Sequence, residues 1–147
     1  MHSEHLRNVQ ISWVAFGWFI GLAVAATVLL LLAGAGFSQW GGMAEMIALA
    51  LAMAFGWFVG GFIVGFKAAA APVLHGAAMA LFTFVAWFAL NLIFGGMTTG
   101  ISAWEYFGGR SLAAGLLVQV VAAITGCWVG YRYTPCLLYT SDAADDR

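Results

Sequence analysis

Any chemistry inside this chain must come from very few side chains. Within its long apolar stretches the polar residues are Thr27, His75, Thr83, Asn91, Gln119, Thr125 and Cys127, and no Asp, Glu, Lys or Arg lies deep in any of them. Ion-coupled transport and proton pumping need a titratable or coordinating group at depth, so the pattern argues against such a machine. The sequence holds no His-Glu-x-x-His, no Gly-x-Ser-x-Gly, no phosphate-cradling glycine loop with Lys-Ser/Thr and no acidic pair. It reads as a non-enzyme.

His75 is the side chain with the widest chemical repertoire. It stands just after Pro72 and close to Lys67. At a membrane edge an imidazole can sense pH, ligate a metal or meet a lipid phosphate; the plainer role is a hydrogen bond to a neighbouring backbone carbonyl. A metal needs several ligands, and His2 and His5 are far away in the leading segment. Haem held between two histidines would need a second one at depth, so neither metal nor cofactor is expected. Gln119 falls roughly 12 Å inside its stretch, counting 1.5 Å per residue, and is expected opposite Trp87 or Thr83. Asn91 is shallower. Interhelical amides of this kind contribute about 0.6 kcal/mol as glue.

Glycine spacing is the strongest physical signal. Gly17 and Gly21, Gly56 and Gly60, Gly61 and Gly65, and Gly126 and Gly130 each stand four apart, which puts each pair on one helix face. Small residues let helix backbones approach where lipid offers no hydrophobic drive. On the second stretch the two pairs are rotated by about 140° at 100° per residue. That helix is expected to clamp two neighbours and to sit centrally.

These residues need elements to hold them, and composition says which. Apolar residues make up 64% of the chain and charged residues 7%, with mean hydropathy +0.97. A soluble domain has roughly a quarter of its residues charged. Four blocks, about 11–33, 44–66, 73–94 and 111–131, are each near the roughly 20 apolar residues that cross a bilayer. The first is too long for a signal-peptide core. Lipid leaves no water for unpaired backbone, so the blocks are expected to be helices in one all-α transmembrane domain spanning 1–135. Pro72 and Pro135 are expected outside the spans.

The last residues read differently. Cys136 to Asp145 is Cys-Leu-Leu-Tyr-Thr-Ser-Asp-Ala-Ala-Asp. That is the translation, from the second base, of the transposon-end sequencing adapter CTGTCTCTTATACACATCT followed by GACGCTGCCGACGA. The leftover first C completes a proline codon at Pro135, and Asp146 fits the adapter's next two bases. Residues 136–147 are therefore read as a non-native tail, with the natural chain departing from this one after Pro135. Without them the charges are Arg7, Lys67, Arg110 and Arg132 against Glu4, Glu45 and Glu105, a net +1. Nothing in that balance points to nucleic acid as a partner. The remaining cysteine, Cys127, has no disulfide mate.

Arg7, Lys67 and Arg132 fall on one side and Arg110 on the other, so the positive-inside rule puts both ends in the cytoplasm. Trp13, Tyr131 and Tyr133 then mark the inner interface, and Trp40, Trp104 and Tyr106 the outer. Ile101, Trp104 and Phe107 share a face of a short amphipathic segment, with Ser102 and Glu105 turned away. A repeat is visible as well: Gly61-x-x-x-Gly65-Phe66-Lys67 returns sixty-five residues later as Gly126-x-x-x-Gly130-Tyr131-Arg132. Two hairpins related by an axis along the membrane normal would produce it.

The run Gly60-Gly61-Phe62-Ile63-Val64-Gly65-Phe66-Lys67, followed by a short loop and His75-Gly76, resembles a loose set of small bacterial four-helix membrane proteins without an assigned activity. The resemblance spans fewer than twenty residues and implies architecture only. The sequence reading is a multi-pass protein of the inner (plasma) membrane acting through helix packing in a structural or accessory role. Its partners would be the lipid bilayer, a second copy of itself or another membrane subunit. The rival is a channel or facilitator lined by the glycine faces and the Asn91 and Gln119 amides.

Overall fold

The computed structural model describes residues 8–36, 41–95 and 109–145, with side chains 90, 91, 94, 95, 109–112 and 135–145 outside the description. Arg7, Ser38, Trp40, His2, His5 and the 101–107 segment therefore also lie outside it. Every described element is helical: α1 (Ile11–Gly34), α2 (Gly42–Ala68), α3 (Pro72–Gly95) and α4 (Gly109–Asp145). Four stretches, Ile11–Gly34, Gly42–Ala68, Pro72–Ala89 and Ala113–Thr134, are long and apolar enough to cross a membrane. This is the architecture of a multi-pass membrane protein.

The helix ends follow local chemistry. Glu45 lies in the first turn of α2 and Lys67 in its last, where each charge complements the helix dipole. The chain leaves α2 through Ala69 at φ 49° and enters α3 after Ala71 at φ 39°. Left-handed backbone costs an L residue roughly 1–2 kcal/mol, so this tight connection must be held by what surrounds it. The Ala69 N–H reaches Gly65 O at 3.3 Å, closing the left-handed cap of α2.

Several boundaries differ from the sequence reading. Lys67 and Ala68 belong to α2, and Pro72 is the first residue of α3 rather than part of the loop. Proline suits that first position because its missing N–H has no intrahelical partner there. Pro135 is inside α4, which continues to Asp145 instead of ending near Tyr131. A proline within a helix removes one i→i−4 bond, and here the carbonyl left without that bond is that of Tyr131, in the last turn of the apolar span that ends at Thr134. The side chains of 135–145 lie outside the description. Ending the chain at Pro135 is expected to leave the detergent melting temperature and membrane insertion unchanged; a clear loss of melting temperature would give the tail a structural role.

Direction and register come from the glycines. Gly17 lies against Gly60, and Gly21 against Gly56, so α1 and α2 are antiparallel. Gly61 lies against Ala123 and Gly65 against Cys127, so α2 and α4 run parallel. Gly76 of α3 meets Ile124 of α4, and α3 also touches α1 and α2. The core is thin: Trp57, Val64, Met79, Ala123 and Cys127 are fully buried, joined by Val14 and Ala25 from α1. Large apolar side chains such as Ile47, Leu51, Phe84 and Leu117 face outward, as expected where lipid replaces water.

The sixty-five-residue offset recurs in the geometry. Gly61 and Gly126 sit on the two sides of the α2–α4 contact. Two hydrogen bonds to α3, from the N-cap Gln10 to His75 and from Trp18 of α1 to Thr83, also join positions 65 apart. The likeness stops at the outer face of α4. Gly56 and Gly60 admit α1, whereas the positions 65 later are Val121 and Thr125, both exposed. Their branched side chains deny a helix the approach that glycine allows, and α3 docks at Ile124 instead.

Candidate functional site

The polar groups of the bundle gather in three places: the end where α1 and α3 begin, the α1–α3 contact, and the seam between α2 and α4. At the first, His75 is fully buried. The Gln10 backbone N–H, which can only donate, lies 3.1 Å from His75 Nε2. Nε2 must therefore be the acceptor and Nδ1 must carry the proton, which it donates to Ala71 O at 3.0 Å. Gln10 is the residue on which α1 starts and has no side-chain cap bond of its own. Ala71 O also takes the His75 backbone N–H at 3.1 Å. One imidazole thus joins the start of α1 to the start of α3 and fixes the carbonyl of a left-handed alanine.

This differs from an imidazole open to a membrane edge. With both ring nitrogens bonded to backbone and no exposed surface, His75 has no free lone pair for a metal and no free N–H for a lipid phosphate. No group of three His, Cys, Asp or Glu side chains that could hold a metal occurs among the described residues.

Seven to eight residues further along, Trp18 Nε1 donates to Thr83 Oγ1 at 3.0 Å, and Thr83 donates to Met79 O at 3.1 Å. The Trp18 ring also meets Phe82 edge-on at 5.1 Å. The Thr83 hydroxyl thus bonds α1 and its own helix, rather than Gln119. Thr27 and Thr125 turn their hydroxyls back onto their own helices, the usual way for threonine to satisfy itself in an apolar helix. At the other end of the seam Thr134 Oγ1 lies 3.1 Å from Phe66 O of α2.

The glycines fill the remaining contacts. A Cβ at Gly61 would stand 2.5 Å from Ala123 O, and one at Gly17 3.0 Å from Gly60 O, besides overlapping Val64. Gly65 abuts the Cys127 carbonyl, while Gly126 and Gly130 abut those of Phe58 and Phe62. Gly56 and Gly60 do the same with Gly21 and Gly17. The eight glycines named from spacing thus stand at backbone-to-backbone contacts within one chain. Asn91 is on α3, but its side chain lies outside the description.

Gln119 is 7% exposed and its Oε1 has no hydrogen-bond partner; the same holds for Nε1 of the fully buried Trp57. An apolar groove of about 560 Å³ opens between their two helices, α2 and α4, lined by Leu51, Phe55, Phe58, Leu117 and Val121 among others but by neither Trp57 nor Gln119.

Sequence reasoning missed three participants. Trp57 had a signal, since a tryptophan in mid-span is out of place in a residue type that favours interfaces. Gly76 and Ala80, both buried, are a small-x-x-x-small pair that a search for glycine pairs alone passes over. The Gln10 donor carried no signal, because a backbone N–H has no residue type.

No family model matches the chain, and no curated protein or solved structure matches it either.

Proposed function

We propose that this is a non-enzymatic membrane protein acting through its packed helices, as a structural or accessory component of a bacterial plasma membrane. One observation carries the reading: four polar side chains of the bundle are taken up by helix joining. His75, Trp18, Thr83 and Thr134 spend their hydrogen bonds between or along helices. The glycine faces are filled by neighbouring backbone, which leaves them no lumen to line.

The rival reading, a channel using Asn91 and Gln119, has one point in its favour: the unpartnered Gln119 oxygen on a helix that also borders the α2–α4 groove. That groove is apolar throughout its lining except for Thr125, a poor path for an ion. Reconstitution into proteoliposomes separates the two. Flux of ions and small neutral solutes is expected to equal that of empty vesicles. A flux that falls on Gln119→Leu would replace the accessory reading with the facilitator.

Orientation belongs to the same proposal, with both ends cytoplasmic. The parallel run of α2 and α4 supports it by bringing Lys67 and Arg132 to one end of the bundle, Lys67 lying 5.7 Å from the Phe66 ring centre and Arg132 3.7 Å from that of Trp128. Basic residues collect on the cytoplasmic side. In a Cys127→Ser background, cysteine placed at Ser38 or Ser102 is expected to react with an impermeant thiol reagent from outside. Cysteine at Ala70 is expected to react only after permeabilisation. The reverse pattern would invert the protein.

A further inference from the structure

Two buried polar atoms in the bundle lack hydrogen-bond partners, Trp57 Nε1 and Gln119 Oε1. They are complementary, since an indole N–H only donates and an amide oxygen only accepts. They also share a place. Gly61 lies against Ala123 and Gly65 against Cys127. The same register carried one turn toward the helix starts sets Trp57 beside Gln119. Burying such a group without a bond is costly, and two orphans of opposite kind at one level of one seam call for a common partner.

We propose that Trp57 and Gln119 frame an intramembrane polar site for a single hydroxyl oxygen, which accepts from the indole N–H and donates to the amide oxygen. One oxygen completes both groups, as buried waters do for paired orphans elsewhere. Water is one source of the hydroxyl. The head of an uncharged membrane alcohol is the other, its chain lying against the apolar groove between the same two helices. That groove is lined, on the turns that carry the two side chains, by Phe58 of α2 and Val118 of α4, though by neither Trp57 nor Gln119 themselves. A charged head would find no counter-ion there: no Asp, Glu, Lys or Arg lies among the groove residues.

The test uses the full chain in nanodiscs, labelled with nitrogen-15 at tryptophan, with Trp57→Phe identifying the Trp57 indole resonance. That resonance is expected at the hydrogen-bonded end of the indole range. Gln119→Met, which keeps side-chain volume, is expected to move it upfield. A cross-relaxation peak to water that disappears in Gln119→Met identifies water as the source. A missing water peak, with one equivalent of an alcohol lipid extracted from wild type and lost in Gln119→Met, identifies the alcohol. The melting temperature supplies a second readout: Trp57→Phe with Gln119→Met should lose less than the sum of the single losses. An indole resonance indifferent to Gln119→Met would overturn the proposal. So would a resonance that moves without water or alcohol, since the two side chains would then bond directly.

Discussion

Gly61→Leu and Gly56→Leu are each expected to lower the melting temperature in detergent sharply, while Ile47→Phe leaves it almost unchanged. The two glycines look in different directions from α2. Gly61 faces Ala123 of α4, and Gly56 faces Gly21 and Ala25 of α1. At Gly61 even a methyl would lie 2.5 Å from a backbone oxygen, and at Gly56 it would lie 2.8 Å from Ala25 Cβ. Backbone cannot swing aside as a side chain does, so leucine must drive the helices apart. Overpacking a filled core costs about 1–3 kcal/mol, against a total stability of about 5–15 kcal/mol. Ile47 is more than half exposed, so a larger ring there extends into lipid or detergent. Leu51 is a less neutral control because it lines the α2–α4 groove. Glycine variants that melt with wild type would mean that α2 is not held on two faces.

That contrast shows which parts of the fold can be read without coordinates. Helix length and the two directions of the α2 glycines are local properties, fixed by a run of apolar residues and by 100° per residue. The partners are not local. Nothing in Gly76 alone says that it meets Ile124, and nothing in Val121 and Thr125 says that α3 will pass them by. The end of α4 differs from the sequence reading for a related reason: a proline raises the cost of helix but does not forbid it, and the one carbonyl it orphans here, that of Tyr131, lies in the last turn of the apolar span.

His75 was the residue singled out for its chemistry, and its surroundings change what that chemistry is for. The imidazole was legible; the Gln10 N–H that uses it was not, since the two are 65 residues apart. Likewise Trp18 and Thr83 are individually unremarkable residues on separate helices, and only packing makes them donor and acceptor. Gln119 was legible as a polar intrusion, and of the two residues expected opposite it, Trp87 and Thr83, the second gives its hydroxyl to the bond with Trp18.

The second large effect is expected at His75. His75→Ala removes the acceptor of the Gln10 N–H and the donor to Ala71 O at once, and leaves a void in a fully buried position. Ala71 O keeps the His75 backbone N–H, so the part-buried Gln10 N–H is the group left unpaired, at a cost of up to about 1–3 kcal/mol, and large-to-small changes in a core add about 2–5 kcal/mol. This is enough to unfold a marginal bundle or to free the start of α1. Two further variants divide the effect. The amide nitrogen of asparagine is near where Nδ1 stands, so His75→Asn can keep the bond to Ala71 and lose Gln10. The amide oxygen of glutamine reaches as far as Nε2, so His75→Gln can keep Gln10 and lose Ala71. Both are expected to melt between wild type and His75→Ala. Amide exchange at Gln10 should rise in His75→Asn and His75→Ala but stay slow in His75→Gln. Equal exchange at Gln10 in all three would show that the imidazole does not hold the start of α1, and that its burial, rather than its two hydrogen bonds, is what the bundle requires.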